Sequence, residues 1–377
     1  MGLSIKEYIG PARLIHTRKA VICNSRQSKY PVGRDSWIPV TGKAVEHVKA
    51  SGMTLLTSLG MNTWEITLAY GSHHEVDIIL VIPNSLAETA VERADILMRF
   101  HLNPEMIGFL LMDSSQCGRD KSWRQIRDYQ IMSLADIILP VSIRTKGGLE
   151  KLLEQFKEKT VQDFTIPYQK ESHPRPKYGD REYNPELFDG NYIVHFTRAN
   201  SSPWPNESDI EFYWKIINSG SDYCHSALEA LINILKSGLI YGSNRHIRGG
   251  QTVVGFTELS HAIIDRLFAY RAQLVNPYFE PYGIALSRET AQKLGMRPVI
   301  YGSPELYDSL DDTAKPYYQN PGSDEIWRYE NEWRHLGDLP LDFLGNDSAT
   351  ILVPDRDEAE KVRKCSEMTV ISVYKDS

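Results

Sequence analysis

Cysteine is scarce in this sequence, and the few cysteines form no motif. The chain has 377 residues and four cysteines. They are Cys23, Cys117, Cys224 and Cys365. Because they are far apart and form no Cys-x-x-Cys or Cys/His spacing, neither a structural zinc site nor a disulfide framework is expected. The sequence therefore predicts no metal site and a reducing, cytoplasmic location.

Long apolar runs and an excess of positive charge are missing as well. The longest apolar runs, such as 78–82, are far shorter than the roughly 20 residues of a membrane-spanning helix. Residues 1–10 lack the pattern of a secretion signal, so no membrane partner is expected. Lysine and arginine total 42 against 49 aspartates and glutamates, a net charge of −7. This balance argues against a protein that coats DNA, although a local basic groove stays open.

What the chain does contain is enough sequence for more than one core. Because a domain takes about 150 residues, a chain of 377 residues predicts two domains. Proline, glycine and charged residues replace the apolar periodicity over 168–191, which is typical of a linker. We therefore predict a first domain over 1–167 and a second domain over 192–377.

Short apolar runs alternate with helical patterns in the first half. The unbroken β-branched and leucine-rich runs have the length of buried strands. They are Lys19–Cys23, Met53–Ser58, Val76–Pro83, Ile107–Met112 and Asp136–Ser142. The helical patterns are Gly42–Ser51, Thr63–Tyr70, Ser85–Phe100 and Trp123–Ala135. The alternation predicts an α/β domain with a Rossmann-like parallel sheet and helices on both faces, and ligands of such domains bind outside the carboxyl ends of the strands.

Small, polar and basic residues follow the first, second and fifth of these strands. Backbone N–H groups at a helix N-terminus favour an anion, glycine permits close approach, and arginine adds charge-assisted hydrogen bonds. The residues predicted on this basis to bind a nucleotide are Ser25, Arg26, Ser58, Gly60, Asn62, Arg144, Gly147 and Gly148. Each loop alone is better explained as an ordinary strand-to-helix turn, so the prediction depends on the three loops meeting at one sheet edge.

A later helix and the strand after it extend this pattern toward a known superfamily. Arg127-Asp128 is followed by Ala-Asp-Ile-Ile-Leu-Pro at 135–140 and by Gly-Gly-Leu-Glu at 147–150. In this order the first half resembles the SMF/LOG (SLOG) superfamily, which includes the DprA DNA-processing proteins and the LOG phosphoribohydrolases. It departs from the LOG pattern at 140–142, where Pro-Val-Ser replaces a proline-diglycine turn, and in lacking Gly-Thr before Glu150.

The resemblance implies nucleotide binding and, less directly, hydrolysis of a nucleotide's glycosidic bond. It adds Arg127 and Glu150 to the predicted nucleotide-binding residues. Glu150 would be a general acid/base or an acceptor for ribose hydroxyls; the alternative is a first-turn carboxylate favoured by the helix dipole. Arg127 and Asp128 would bind phosphate and ribose, or they are polar residues on an exposed helix face.

The second half has a different pattern, with helices early and strands late. Short strands are predicted at Tyr192–Thr197, Thr252–Phe256, Gly283–Leu286, Pro298–Tyr301, Glu332–Leu336 and Ala349–Val353. Helices are predicted at Ser226–Ser237, Leu259–Gln273 and Glu289–Leu294. This arrangement indicates an α+β domain around a largely antiparallel sheet.

Phrases in the second half resemble two further groups of proteins. Residues 192–198 and 227–240 resemble the opening of the ADP-ribosyltransferase fold in bacterial effectors and DarT-like enzymes. The segments that resemble AbiG-type abortive-infection proteins are 253–258, 282–286, 297–301 and 329–334. The resemblance implies an ADP-ribosyltransferase-like domain with NAD as its substrate.

The same resemblance implies the site residues of the second half. His195 would hold a ribose, and Glu332 would be the catalytic carboxylate that stabilises an oxocarbenium-like ribose. The residues implied at the NAD are His195, Phe196, Thr197, Arg198 and Tyr241. The alternatives are a structural histidine and a cross-strand ion pair of Glu332 with Arg334, and Glu258 and Glu330 compete for the catalytic role.

The leading hypothesis is a two-domain bacterial anti-phage or conflict protein. Its first domain would bind or process a nucleotide, and its second would use NAD to modify a protein or nucleic-acid target, or would cleave NAD. The defence role rests on family analogy alone. One alternative is a non-enzymatic, DprA-like protein that binds a nucleotide or single-stranded DNA; another is a phosphoribohydrolase acting through Glu150. A homo-oligomer stays open.

Overall fold

The apolar runs of the first half form a seven-stranded sheet. The computed structural model describes residues 5–113, 122–169, 181–189, 191–268, 279–322, 326–343 and 348–375. The strands of this sheet are β1 (Ile5–Ile9), β2 (Lys19–Asn24), β3 (Thr54–Thr57), β4 (Ile78–Pro83), β5 (Ile107–Met112), β6 (Ile137–Ile143) and β7 (Ile166–Pro167). Strands β2 to β7 pair in parallel, and β1, which the sequence did not predict, pairs antiparallel with β5.

Helices cover both faces of this sheet. They are α1 (Arg13–His16), α2 (Trp37–Ala50), α3 (Asn62–His73), α4 (Ala90–Arg99), α5 (Ser122–Leu134) and α6 (Gly148–Leu153). Short 3-10 helices lie at Asn84–Leu86, Pro104–Met106 and Glu154–Lys159. Helices α2, α3 and α4 contribute to one apolar cluster, and α1 and α5 contribute to another. The predicted Rossmann-like α/β class is therefore confirmed.

The order of the strands creates a switch point in the first sheet. Across the sheet the strands run β1-β5-β4-β3-β2-β6-β7. The chain steps outward from β2 to β5 and then returns to place β6 on the other side of β2. In open parallel sheets, the crevice at such a reversal is where ligands bind. The carboxyl ends of β2 and β6 are therefore the place to look for a site.

The second half of the chain builds a different sheet from shorter strands. These strands are β8 (Tyr192–Phe196), β9 (Leu239–Ile240), β10 (Val253–Glu258), β11 (Gly283–Ser287), β12 (Arg297–Pro298), β13 (Ile300–Tyr301), β14 (Tyr318–Gln319), β15 (Glu332–Leu336), β16 (Leu339–Pro340), β17 (Ala349–Val353) and β18 (Thr369–Ser372). The helices are α7 (Glu186–Asp189), α8 (Asp209–Ile217), α9 (Ala227–Ser237), α10 (Ile264–Phe268), α11 (Arg288–Lys293), α12 (Pro304–Ser309) and α13 (Arg356–Arg363). Short 3-10 helices lie at Lys315–Tyr317, Ile326–Glu330 and Leu341–Phe343.

The large sheet of the second half is mostly antiparallel. Its order is β12-β15-β10-β8-β11-β17-β18, and only the pairing of β17 with β18 is parallel among these neighbours. Two apolar clusters lie on its two faces. The predicted α+β class is therefore confirmed. Of the helix predicted over 259–273, the structure has α10, and 269–273 lie outside the described residues.

The chain divides into two compact units whose limits differ from the predicted ones. The first unit is Met1–Pro174 with Ser201–Cys224, and the second is Arg175–Asn200 with His225–Ser377. Helix α8, which was not predicted, lies within the range assigned to the second domain but belongs to the first unit. Its apolar face joins the cluster of α2, α3 and α4, and that long-range packing is invisible to composition. Of the predicted linker over 168–191, residues 170–180 and 190 lie outside the described residues.

No helix among the described residues is long and apolar enough to cross a membrane.

Candidate functional site

Ser25 ties the carboxyl ends of β2 and β6 together at the switch point. Its backbone N–H donates to the carbonyl of Ser142 at 2.8 Å, and its hydroxyl accepts from the N–H of Arg144 at 2.9 Å. Asn62, at the start of α3, donates through Nδ2 to the carbonyl of Ser28 at 2.8 Å. Hydrogen bonds therefore join the loops that follow β2, β3 and β6, as the sequence predicted for one sheet edge.

Three buried polar side chains at this edge carry an unpartnered atom. Asn24 is 7% exposed, and Gln27 and Thr63 are each 3% exposed. Oδ1 of Asn24, Nε2 of Gln27 and Oγ1 of Thr63 have no hydrogen-bond partner among the described residues. Since a buried polar atom without a partner costs about 1–3 kcal/mol, such atoms commonly mark a place for water or a ligand. Together they offer an acceptor, a donor and a hydroxyl.

Exposed cations lie in the loops that follow β2 and β6. Arg26 follows β2, and Arg144 and Lys146 follow β6; the side chains of all three are exposed. None of them has an ion-pair partner within the described part of the chain. Tyr168 donates its hydroxyl to the carbonyl of Arg26 at 2.9 Å, which holds the backbone of that loop. We call Asn24, Ser25, Arg26, Gln27, Thr63, Arg144 and Lys146 the strand-end site.

Two carboxylates accept hydrogen bonds from the turns that were predicted to bind phosphate. Gly60 has a φ of +87°, and its N–H donates to Oε1 of Glu65 at 2.9 Å. After β6, the N–H of Lys146 donates to Oε2 of Glu150 at 2.6 Å. Gly147 is the N-cap of α6 and Gly148 its first residue. Glu150 therefore closes its own turn in this structure, which is the contact expected of a first-turn carboxylate.

Arg127 is buried, although the sequence left an exposed helix face open for it. Its side chain is 2% exposed, and it donates to the carbonyl of Leu59 at 3.0 Å and to Oδ1 of Asp128 at 2.9 Å. Burial raises the pKa of the Asp128 carboxyl, and the neighbouring Arg127 guanidinium offsets part of this rise. Ser58 is fully buried and donates to the carbonyl of Val81 at 2.8 Å. Arg127 and Ser58 thus donate to other groups of the protein, and the contact of Arg127 with Leu59 holds the β3–α3 turn.

His195 lies on the central strand β8 of the second unit. Its Nδ1–H donates to the carbonyl of Gly255 at 2.9 Å. Desolvation lowers the pKa of His195, and nearby Arg198 lowers it further, so the folded chain holds the neutral imidazole more readily than the unfolded chain. Thr197 is buried and donates its hydroxyl to the carbonyl of Ala227 at 2.7 Å.

Glu332 forms a side-on ion pair with a buried arginine. Its two oxygens accept from Nε and Nη2 of Arg334 at 2.9 and 3.1 Å. Arg334 is 1% exposed and also donates to the carbonyls of Pro316 and Tyr318 and to Oε1 of Gln319. The competing Glu258 is paired with Arg288. The ion pair of Glu332 with Arg334 that was weighed as the alternative is therefore present. Both residues are on β15, so the pair forms within one strand and not across two strands.

Strand register separates the two residues that were predicted to act together. Thr257 of β10 lies opposite both Val194 of β8 and Glu332 of β15. Because successive side chains alternate between faces, Glu332 is on the face of Val194 and His195 is on the other. Phe196 shares the face of Val194 as well. The register therefore places His195 and Glu332 on opposite faces of the sheet, and the roles implied for them at the NAD stay predictions.

Arg198 and Tyr241, the two other residues implied at the NAD, each follow the end of a strand. Arg198 is exposed beyond the end of β8. Tyr241 follows β9, which pairs with β16 in a separate two-stranded sheet. No cluster of three or more histidine, cysteine, aspartate or glutamate side chains suited to a metal ion occurs in the described ranges.

We expect His195 to make the stability of the chain depend on pH. Because its folded pKa lies below the ordinary 6.5, the unfolded state takes up the proton first, and stability falls as pH drops below about 6.5. Urea unfolding at several pH values should show a steeper loss for the wild type than for His195→Gln. His16→Gln, at an exposed position on α1, should keep the wild-type slope; equal slopes in all three proteins would contradict the assignment.

Comparisons with known proteins find structural neighbours but no sequence relatives. No protein-family model matches the chain, and no curated protein matches its sequence. DNA processing protein A from Helicobacter pylori, a structure described for its single-stranded DNA binding mode, is similar at 11% identity and a TM-score of 0.30, covering 41% of this chain and 68% of that one. DNA processing protein A from Streptococcus pneumoniae is similar at 13% identity and a TM-score of 0.31, covering 40% of this chain and 51% of that one. The chain thus spans about half of the pneumococcal protein.

The sequence prediction missed several residues of the first-unit site. Asn24 and Gln27 flank the predicted Ser25 and Arg26, and a polar residue closing a buried strand was the available signal. Glu65 stands in the first turn of α3, a position typical of a capping carboxylate. Tyr213, which donates to Glu65 at 2.6 Å across 148 positions, had no local signal.

Proposed function

We propose that the first unit binds a nucleotide at the strand-end site. The observation that carries the proposal is the set of unpartnered atoms on Asn24, Gln27 and Thr63, buried at the switch point of the parallel sheet. A ligand placed there restores their hydrogen bonds, which the folded protein otherwise forgoes. The resemblance of the first half to the SLOG superfamily supports the same class of ligand.

The chemistry of the site suits the separate parts of a nucleotide. Arg26, Arg144 and Lys146 supply positive charge for phosphate, and arginine can donate two parallel hydrogen bonds to it. Oδ1 of Asn24 accepts and Nε2 of Gln27 donates, which matches a ribose hydroxyl or a base edge that offers both functions.

Replacing Gln27 with methionine tests the proposal most sharply. Methionine has nearly the same shape but no donor, so the free energy of unfolding should stay equal or rise, because a buried unsatisfied group is removed. Affinity for the bound nucleotide should nevertheless fall, by about fivefold or more. Calorimetric titration with AMP, ADP, ATP and GTP measures the second effect, and urea unfolding the first. A stable variant with unchanged affinity would place the ligand elsewhere.

Two arginine variants provide a matched pair, one at the carboxyl ends of the strands and one at their amino ends. Arg144→Ala should weaken nucleotide binding by about tenfold, since a hydrogen bond to a charged group is worth about 1.5–3 kcal/mol. Arg18 is equally exposed but precedes β2 at the amino edge. Arg18→Ala makes the same change in net charge and should leave the affinity as it is. Equal losses in both variants would indicate a general charge effect instead.

Single-stranded DNA is a second, more specific candidate ligand for the same site. A short oligothymidylate should bind more weakly at about 200 mM than at about 50 mM salt, because several phosphates release counterions. A mononucleotide held by the buried groups should depend far less on salt. The salt dependence therefore separates a DNA-binding role from a role in binding a free nucleotide.

The enzymatic and defence roles stay predictions of the sequence. Nicotinamide release from NAD by the full chain tests ADP-ribose transfer, and release of ribose phosphate from nucleoside monophosphates tests hydrolysis through Glu150. The placement of His195 and Glu332 on opposite faces of the sheet does not favour the first, and the closed Glu150 turn does not favour the second.

A further inference from the structure

Glu65 connects the turn beside the strand-end site to helix α8. Its Oε1 accepts from the N–H of Gly60 at 2.9 Å, and its Oε2 accepts from the hydroxyl of Tyr213 at 2.6 Å. One carboxylate therefore holds both the β3–α3 turn and a residue of α8. Among the described hydrogen bonds, none joins the turn to Tyr213 directly, so Glu65 is the connection between them.

The Gly60 turn is built to receive an anion. A Cβ atom built on Gly60 would meet no atom within 4 Å, so the turn faces open space. Trp64 and Glu65 donate their N–H groups to the carbonyl of Met61. The N–H groups of Asn62 and Thr63, the first two residues of α3, have no acceptor within the helix, and the helix dipole favours negative charge there. Thr63, in the same first turn and 3% exposed, carries the unpartnered Oγ1. The carboxylate of Glu65 therefore occupies a position that a phosphate oxygen would also favour.

Tyr213 depends on Glu65 for its only described hydrogen-bond acceptor. Its side chain is 5% exposed, and its ring packs on Phe100 at a centroid distance of 6.2 Å. Burial and the nearby Glu65 raise the pKa of Tyr213 well above its usual range, so the phenol stays a donor. If Glu65 turns away, a buried hydroxyl is left without an acceptor, which destabilises the packing of α8.

Other contacts keep α8 attached while this one changes. Asp209, at the start of α8, accepts from Nε and Nη2 of Arg99 at 2.7 and 3.2 Å. Loss of the Tyr213 hydrogen bond should therefore loosen the middle of α8 without releasing it. The segment Ser201–Cys224 that carries α8 continues into the second unit at both ends.

We propose that a phosphate group of the bound nucleotide competes with the Glu65 carboxylate for the Gly60 turn, and that the displacement is relayed through Tyr213 to α8. This inference rests on the proposed nucleotide site. In this inference, Glu65 competes with the ligand and so lowers the affinity for the nucleotide. Its displacement on binding also changes the packing of α8, which lies in a segment that continues into the second unit. The coupling is reciprocal, so loosening α8 should also change the turn.

The ligand-free protein tests the mechanical link. Tyr213→Phe removes only the hydroxyl, and hydrogen exchange of the peptide containing Gly60 should rise about fivefold as Glu65 loses its second anchor. Tyr70→Phe is the matched control, because Tyr70 is on α3 and its ring also contacts α8, at Trp214, but without touching Glu65. Unchanged exchange in Tyr213→Phe would overturn the relay.

Pyrophosphate tests the competition. Glu65→Gln removes the negative charge and keeps one acceptor oxygen, so pyrophosphate should bind about fivefold more tightly than to the wild type. In the wild type, saturating pyrophosphate should raise hydrogen exchange within Asp209–Ile217. In Tyr213→Phe no buried hydroxyl loses its acceptor when Glu65 moves, so that exchange should not respond.

The outcomes separate this inference from the proposed function. If nucleotides bind through Gln27 but Glu65→Gln does not tighten pyrophosphate binding and α8 does not respond, the relay is wrong and the nucleotide site stands. If no nucleotide binds to the wild type, the proposed function fails, whatever the exchange of the Gly60 peptide shows.

Discussion

A fragment of residues 1–167 is expected to show no cooperative unfolding transition. It contains the whole first sheet but lacks α8, whose Ile210, Phe212, Tyr213 and Ile216 are each at most 5% exposed. Burying an apolar side chain of this size contributes about 1.5–3 kcal/mol. Four of them therefore contribute roughly 6–12 kcal/mol, which is comparable to the entire stability of a typical domain.

Fragments with and without α8 provide the measurement. Thermal unfolding followed by circular dichroism should give a broad, non-cooperative curve for 1–167 and a cooperative transition for 1–224. In the full chain, Phe212→Ala should destabilise the first unit by about 3–5 kcal/mol through the cavity it leaves. A sharp transition in 1–167, at a temperature close to that of 1–224, would show that α8 is dispensable.

Glu332→Ala is expected to be one of the most destabilising single changes in the second unit. The substitution leaves the guanidinium of Arg334, which is 1% exposed, without its counter-charge. Removing one partner of a buried ion pair costs about 3–5 kcal/mol. Glu332→Gln should cost clearly less, because the amide oxygen can still accept from Arg334.

An exposed ion pair of the same unit serves as the control. Glu289 pairs with Lys293 one helical turn away, and its side chain is 77% exposed. Glu289→Gln should leave the free energy of unfolding nearly unchanged, because water screens this pair. Urea unfolding compares the three variants. A cost of under about 1 kcal/mol for Glu332→Ala would mean that Arg334 finds other compensation.

This second prediction bears on how an activity of the second unit would be tested. If nicotinamide release from NAD were found, its loss in Glu332→Ala would not identify a catalytic carboxylate, since the variant is also destabilised. Glu332→Gln, assayed at a temperature where its unfolding curve shows it folded, separates the two effects.

Local pattern predicted the elements well. The apolar runs at Lys19–Cys23 and Ile107–Met112 became β2 and β5, within a residue at each end. Gly238, with a φ of +66°, ends α9 where the amphipathic pattern stopped. These features depend on side-chain periodicities of two residues in strands and 3.6 residues in helices, and on the residues that end a helix. All of these are local properties of the sequence.

Long-range partners were beyond that pattern. Helix α8 begins with a capping box of Ser208 and Glu211, so its existence was open to prediction, but its place against α3 was not. Arg127 was a polar residue in a helix, and only the packing of the β3–α3 turn shows it buried beside Asp128.

By itself, the sequence determined a Rossmann-like α/β unit, an α+β unit and a polar, basic edge at the carboxyl ends of β2, β3 and β6, because strand and helix patterns are local. The tertiary structure alone decided that α8 completes the first core and that His195 and Glu332 lie on opposite faces. A shift of one residue in strand register moves a side chain to the other face, and register is decided by partners far away in the chain.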